Sequence, residues 1–128
     1  GYQLAVLQPG QPNGMYHRES DNQEDFLVLF GECLLLVEEQ ERRLQAWDFV
    51  HCPPDTDHIF VGAGSGPCAI LMMGARVSEA IVYPRSQLAL RHAAGVEAET
   101  TSAKEAYAPF PEWTPGRPEG WAELPFGS

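Results

Sequence analysis

A chain of 128 residues has room for one domain with one core, and 44% apolar with 20% charged residues is the make-up of an ordinary globular protein. The formal charge of −10 repels a phosphate backbone and an anionic membrane surface, so neither nucleic acid nor membrane is expected as a partner.

In chain order, residues 1–74 read as all-β. Gln3 to Gln8 is a short apolar run stopped by Pro9-Gly10, with further turn signals at Pro12 and Asn13-Gly14. Glu24 to Phe30 is a strand ending at a Gly31-Glu32 turn. Cys33 to Val37 is continuously apolar, as for a strand buried on both faces. Glu38 to Glu41 is a solvated hairpin tip, and Arg42 to Leu44 starts the return strand. Asp48 to Cys52 is a strand stopped by Pro53-Pro54. His58 to Val61 is a short strand, Gly62 to Pro67 a glycine loop, and Cys68 to Met73 the last strong strand. Strands this short, with turns every 8–12 residues, indicate a sandwich, jelly roll or barrel.

The remainder differs. Ser86 to Ala94 has helical spacing and stops before Gly95, a candidate C-terminal cap. Ser102-Ala103-Lys104-Glu105 is a capping-box pattern, which predicts a helix through about Ala108. The tail alternates Pro109, Pro111, Pro115, Pro118 and Pro125 with Phe110, Trp113, Trp121 and Phe126. Disordered tails are poor in aromatics, so this one is expected to pack on its own barrel or on a neighbouring subunit. There are no internal repeats.

Cys33, Cys52 and Cys68 are odd in number and lack CxxC spacing. They read as buried thiols of a reducing compartment and point to a cytoplasmic protein. No signal segment and no apolar run near the ~18 residues of a membrane span are visible. The chain opens at Gly1 without methionine, as one domain of a longer protein would.

Two segments carry the chemistry. His17-Arg18-Glu19-Ser20-Asp21-Asn22-Gln23-Glu24 precedes Gly31, and Pro53-Pro54-Asp55-Thr56-Asp57-His58 follows the apolar stretch. Two imidazoles and two carboxylates at turn-rich strand ends are the donors that a divalent transition metal takes.

These segments resemble the two motifs of the cupin superfamily. In the first, G-x5-H-x-H-x3,4-E-x6-G, His17 takes the first histidine position, Glu24 the glutamate position and Gly31 the closing glycine. Glu19 stands where the second histidine is usual, and Gln11 falls at the leading glycine. In the second, G-x5-P-x-G-x2-H-x3-N, Pro53 and His58 fit, while Trp47 and Asp55 replace the two glycines and Gly62 takes the asparagine position. The resemblance covers about residues 3–74. It implies an all-β, double-stranded β-helix (jelly-roll) barrel over 1–75, with a helical and proline-rich extension over 76–128, and a homodimer.

It also implies a metal site of His17, Glu19, Glu24 and His58, holding Zn, Fe, Mn or Ni. Residues two apart in a strand face the same way, so His17 and Glu19 share a face and Arg18 takes the other. Phe26, Val28 and Phe30 share the face of Glu24 as an apolar pocket wall. If Glu19 turns away, a two-histidine, one-carboxylate set with open positions remains. Glu19 is then the candidate general base, since metal proximity and an apolar wall both move a carboxylate's pKa. Ordinary hydrogen bonding of all four groups is the competing reading. His51 and His92 read as structural or surface histidines, Met15 and Tyr16 as packing residues, and Trp47 as a packed side chain. The expected function is a metal-binding cupin, such as a metal-dependent dioxygenase or isomerase, acting on a small polar molecule in the barrel mouth. The alternative is a non-catalytic ligand-binding or sensing cupin with a structural metal or none.

Overall fold

The structure is a computed structural model that describes residues 1–127. Nine strands are followed by two short helices and one 3-10 turn. The strands are β1 (Tyr2–Leu7), β2 (Arg18–Glu19), β3 (Glu24–Phe30), β4 (Glu32–Val37), β5 (Gln40–Gln45), β6 (Phe49–Cys52), β7 (His58–Ala63), β8 (Cys68–Gly74) and β9 (Ile81–Val82). The helices are α1 (Gln87–Arg91) and α2 (Ala103–Ala106), and the 3-10 turn is Trp121–Glu123.

Two sheets form a jelly-roll sandwich, the first ordered β1-β8-β3-β6 and the second β5-β4-β7. Alternation along the strands supplies its filling. Ala5, Leu7, Phe26, Val28, Ile70 and Met72 of the first sheet pack against Cys33, Leu35 and Phe60 of the second. The outer face of the second sheet is covered by α1, with Leu36, Ile59 and Val61 against Leu88 and Ala89. Strand β4 is thus covered on both faces, as its apolar run suggested, with Leu36 fully buried and Leu34 half-buried.

The outer face of the first sheet is covered at one end alone. Leu124 packs there on Val6 and Ala69, with Trp121, Leu29 and Phe30 alongside. The next row, Leu4–Leu71–Leu27–Phe49 in direct register, faces solvent, with Phe49 largely exposed. The aromatic tail therefore packs down in part: Trp121 is seated, whereas Trp113 is 85% exposed. The extension also contributes to the barrel edge. β9 pairs with β2, and Tyr83, Val96 and Ala106 pack on Met15.

Several local expectations are corrected. Phe30 does not line the cavity beside His17, Glu24 and His58. A bulge between Val28 and Phe30 flips its face and places it with the tail. Trp47 does not pack; it holds φ 74° and is 74% exposed. The hairpin tip is shorter than the acidic run, with Glu38 and Glu39 alone at positive φ, as a two-residue type I′ turn requires. Tyr16 braces that turn, its hydroxyl accepting from the Glu39 N–H at 3.0 Å. Helix α1 is capped by Ser86, whose hydroxyl accepts from the Ala89 N–H. It ends at Arg91 with His92 as its cap, and the left-handed residue that follows is Ala93, φ 55°, rather than Gly95. Gly95 serves close packing instead, since a Cβ there would fall 2.9 Å from the Ala89 Cβ. Ser102 caps α2 through the Glu105 N–H, as the capping box predicts, but the Glu105 carboxylate bonds Thr100 Oγ1 instead of returning to Ser102.

The three cysteines are free and buried. Cys33 and Cys68 share a hydrogen bond. No helix among the described residues is long and apolar enough to cross a membrane.

Candidate metal centre

His17 lies just before β2 and pairs as an isolated bridge with His58, the first residue of β7. The bridge is a reciprocal pair of backbone hydrogen bonds, His17 N–H to His58 O at 3.2 Å and His58 N–H to His17 O at 2.9 Å. It sets the two rings side by side, with centroids 4.8 Å apart. Glu24, the first residue of β3 in the opposite sheet, reaches the same point. Its Oε2 lies 2.8 Å from His58 Nε2 and 3.7 Å from His17 Nε2. The three donor atoms all fall within 4.8 Å of one another.

Both rings are oriented from behind. His17 Nδ1 lies 2.8 Å from the Met15 carbonyl and His58 Nδ1 lies 2.9 Å from the Thr56 carbonyl. A carbonyl oxygen only accepts, so each Nδ1 carries a proton and each ring turns its Nε2 toward Glu24. Two lone pairs and a carboxylate oxygen do not converge without a cation among them, either a proton on one ring or a metal ion. Two imidazole nitrogens and one carboxylate, with the far side of each ring held by a carbonyl, suit a divalent transition metal. The residues present therefore fit such an ion.

The electrostatics agree. Burial opposes ionisation of Glu24, but its hydrogen bonds to His17 and His58 hold it well below the usual carboxylate range. Burial lowers the His17 pKa, yet Glu24 and the Met15 carbonyl more than offset this, and the net shift is upward. Glu19 moves the other way: burial and the negative charge of Glu24 raise its pKa.

Glu19 shares the cavity face with His17, as strand alternation predicts, and its carboxylate engages that of Glu24. Arg18, on the other face, pairs with Asp57 at 3.2 Å. His51 points outward and pairs with Asp25 at 2.5 Å. His92 caps α1 and bonds Glu41 at 2.6 Å. Met15 and Tyr16 are buried packing residues.

The centre opens into a cavity of about 590 Å³, large enough for a small organic ligand. Phe26, Phe60 and Met72 form its apolar wall, and Gln3, Asn13, Arg76 and Tyr107 add polar groups. Arg76 and Tyr107 lie outside the two sequence motifs. No short-range pattern marks them, because the fold alone brings them to the cavity.

The sequence profile of the Cupin domain family matches residues 3–74, more than half of the chain. No curated protein matches the sequence. Among solved structures, an assigned sugar phosphate isomerase from Acidithiobacillus ferrooxidans is 26% identical at a TM-score of 0.59, over 64% of this chain and 53% of that one. A sugar phosphate isomerase of the cupin superfamily from Silicibacter pomeroyi is 24% identical at 0.57, over 64% and 59%. A predicted oxalate decarboxylase from Thermotoga maritima is 19% identical at 0.54, over 57% and 63%. The chain thus spans between about half and somewhat under two thirds of these proteins. The two lower identities carry the fold alone. The motif residues, the two-sheet sandwich and the profile match agree: the chain belongs to the cupin superfamily.

Proposed function

We propose that this chain is a metal-dependent cupin that binds and transforms a small polar organic molecule in the cavity beside His17, Glu24 and His58. The observation that carries the reading is the convergence of two carbonyl-anchored Nε2 atoms on one carboxylate oxygen. A bound Zn, Fe, Mn or Ni ion would supply a Lewis acid that polarises a carbonyl or enolate, or activates O2 or water.

Glu19 is the general base in this reading. Its raised pKa moves it toward neutral pH, where a carboxylate accepts and returns a proton more readily. Phe26 and Phe60 exclude water from one side of the ligand. Isomerisation, a proton moved between neighbouring carbons, uses one base and one Lewis acid and matches this inventory. The similarity to the assigned sugar phosphate isomerase supports it over oxygenation.

A second reading is a non-catalytic ligand-binding cupin. It is favoured by the bond from His58 to Glu24 at 2.8 Å, through which a single proton satisfies the cluster without a metal.

Elemental analysis of protein purified without a chelating column separates the two. About one equivalent of a transition metal in the wild type, lost in His58→Ala and kept in Glu19→Gln, supports the metal centre. No uptake after loading with Zn, Fe(II), Mn and Ni leaves the binding reading.

A further inference from the structure

The cavity has further polar groups besides the metal centre. Arg76, just beyond β8, is the one lysine or arginine among the described residues lining it, and the chain as a whole carries −10. No carboxylate among the described residues forms an ion pair with it. Its guanidinium lies close to Gly1, where a Cβ would fall 2.6 Å from Nε and 3.0 Å from Cζ. Arg76 is exposed and lines the cavity at its rim beside Gly1.

Two amides of the same cavity lack a good acceptor. Gln3 Nε2 and Asn13 Nδ2 both donate to the Met72 sulfur, at 3.5 and 3.4 Å. A thioether is a weak acceptor, so these N–H groups would gain by meeting an oxygen. By alternation Gln3 shares the inner face of β1 with Ala5 and Leu7. The cavity therefore presents an arginine and two underused amide donors in addition to the two histidines and Glu24.

We propose that the ligand is a small oxyanion, a carboxylate or a phosphate ester, whose charged group is bound by Arg76 with Gln3 and Asn13 while its other end faces the metal centre. This names the substrate class of the site under the reading above and rests on it. A planar guanidinium matches either group through two parallel hydrogen bonds. An ammonium- or hydrocarbon-ended ligand would leave those donors unanswered. Glu19 and Glu24 would repel an anion placed against them, unless a divalent cation neutralises them, whereas Arg76 attracts one. The charged group therefore goes to Arg76.

The test is calorimetric titration of malonate, and separately of inorganic phosphate, into zinc-loaded and metal-free protein, for the wild type, Arg76→Gln and Arg76→Lys. Malonate and phosphate distinguish the two sources of the oxyanion. At least one should bind the wild type, and its Kd should rise about tenfold or more in Arg76→Gln. Arg76→Lys should fall between, and zinc content and thermal midpoint should stay unchanged. Equal affinity for wild type and Arg76→Gln, or no binding of either anion, overturns the proposal. Zinc content, measured on the same samples, reports separately on the metal centre, so the two can fail independently.

Discussion

His58 and Glu24 sit on different sheets, β7 and β3, yet Nε2 of one lies 2.8 Å from Oε2 of the other. The contact bridges the two layers at the mouth of the sandwich. His17 joins it through its backbone bridge to His58. The centre therefore depends on both sheets keeping their relative position, and a metal bound there would clasp them together.

Metal should stabilise this chain against unfolding, because the site does not exist in the unfolded state. At a free metal concentration of 100 times Kd the gain is about 2.7 kcal/mol. Glu24→Gln removes the anionic donor and should reduce the metal-induced rise in Tm, with a Kd weaker by about tenfold or more. His51→Ala, on the outer face, should leave the rise intact. Equal shifts for Glu24→Gln and the wild type, in thermal melts with and without zinc, would place the metal elsewhere.

Trp47 and Asp55 occupy the two glycine positions of the second motif, and both hold left-handed backbone, φ 74° and 63°. The turns have kept the conformation that glycine adopts freely while losing the glycine. A bulky residue there costs roughly 1–2 kcal/mol. Trp47 recovers little by packing, being 74% exposed. Trp47→Gly should stabilise the fold by about 1 kcal/mol, read as a higher urea midpoint at unchanged m. Asp tolerates this region better, so Asp55→Gly should gain less. A lower midpoint for Trp47→Gly would show that the indole makes contacts worth more than the strain.

Gly62, at the asparagine position of the same motif, is held by neighbours. Its N–H donates to the Gln11 carbonyl at 2.9 Å, and its carbonyl accepts from Gly10 N–H at 2.8 Å. A Cβ at Gly62 would fall on the Gln8 carbonyl oxygen and 3.2 Å from the Leu7 Cβ. Backbone cannot yield as a side-chain end can. Gly62→Ala should cost about 3 kcal/mol; a loss under about 1 kcal/mol in denaturant titration would mean that the first loop moves aside freely.

The fold should weaken in alkali. Burial pushes the Cys52 thiol up to about 12 and the Tyr83 hydroxyl up to about 12, from 9.0 and 10.0. Both are neutral when buried, so the folded state holds protons that the unfolded chain gives up. The contribution is full below pH 9 and is lost as pH rises from there toward 12. Urea midpoints should therefore fall between pH 8.5 and 10.5, and Cys52 should resist alkylation in the folded protein at neutral pH. A flat midpoint across that range would contradict it.

Much of the site was legible because its residue types are chemically selective and its strands short. His17, Glu24 and His58 stand at strand ends with motif spacing, and alternation alone put Glu19 on the side of His17. Other features were not legible for particular reasons. Phe30 changed face through a bulge, which no single residue announces. The two-residue strand β9 exists only because β2 offers it an edge. Trp47 read as a core residue because hydrophobicity predicts burial, but its turn conformation points the indole to water. No local pattern marks Arg76, since its place in the cavity lining depends on the fold.

The sequence by itself determined a β-rich fold, the donor types of the centre and the motif spacing, because these are local: side-chain chemistry, period-two patterning and turn residues. Only the tertiary structure decided that three donors meet within 4.8 Å, that both rings turn Nε2 inward, and that Arg76, Gln3 and Asn13 share the cavity. Those relationships join residues far apart in the chain on two different sheets. They arise from long-range strand pairing and packing, which no local pattern encodes.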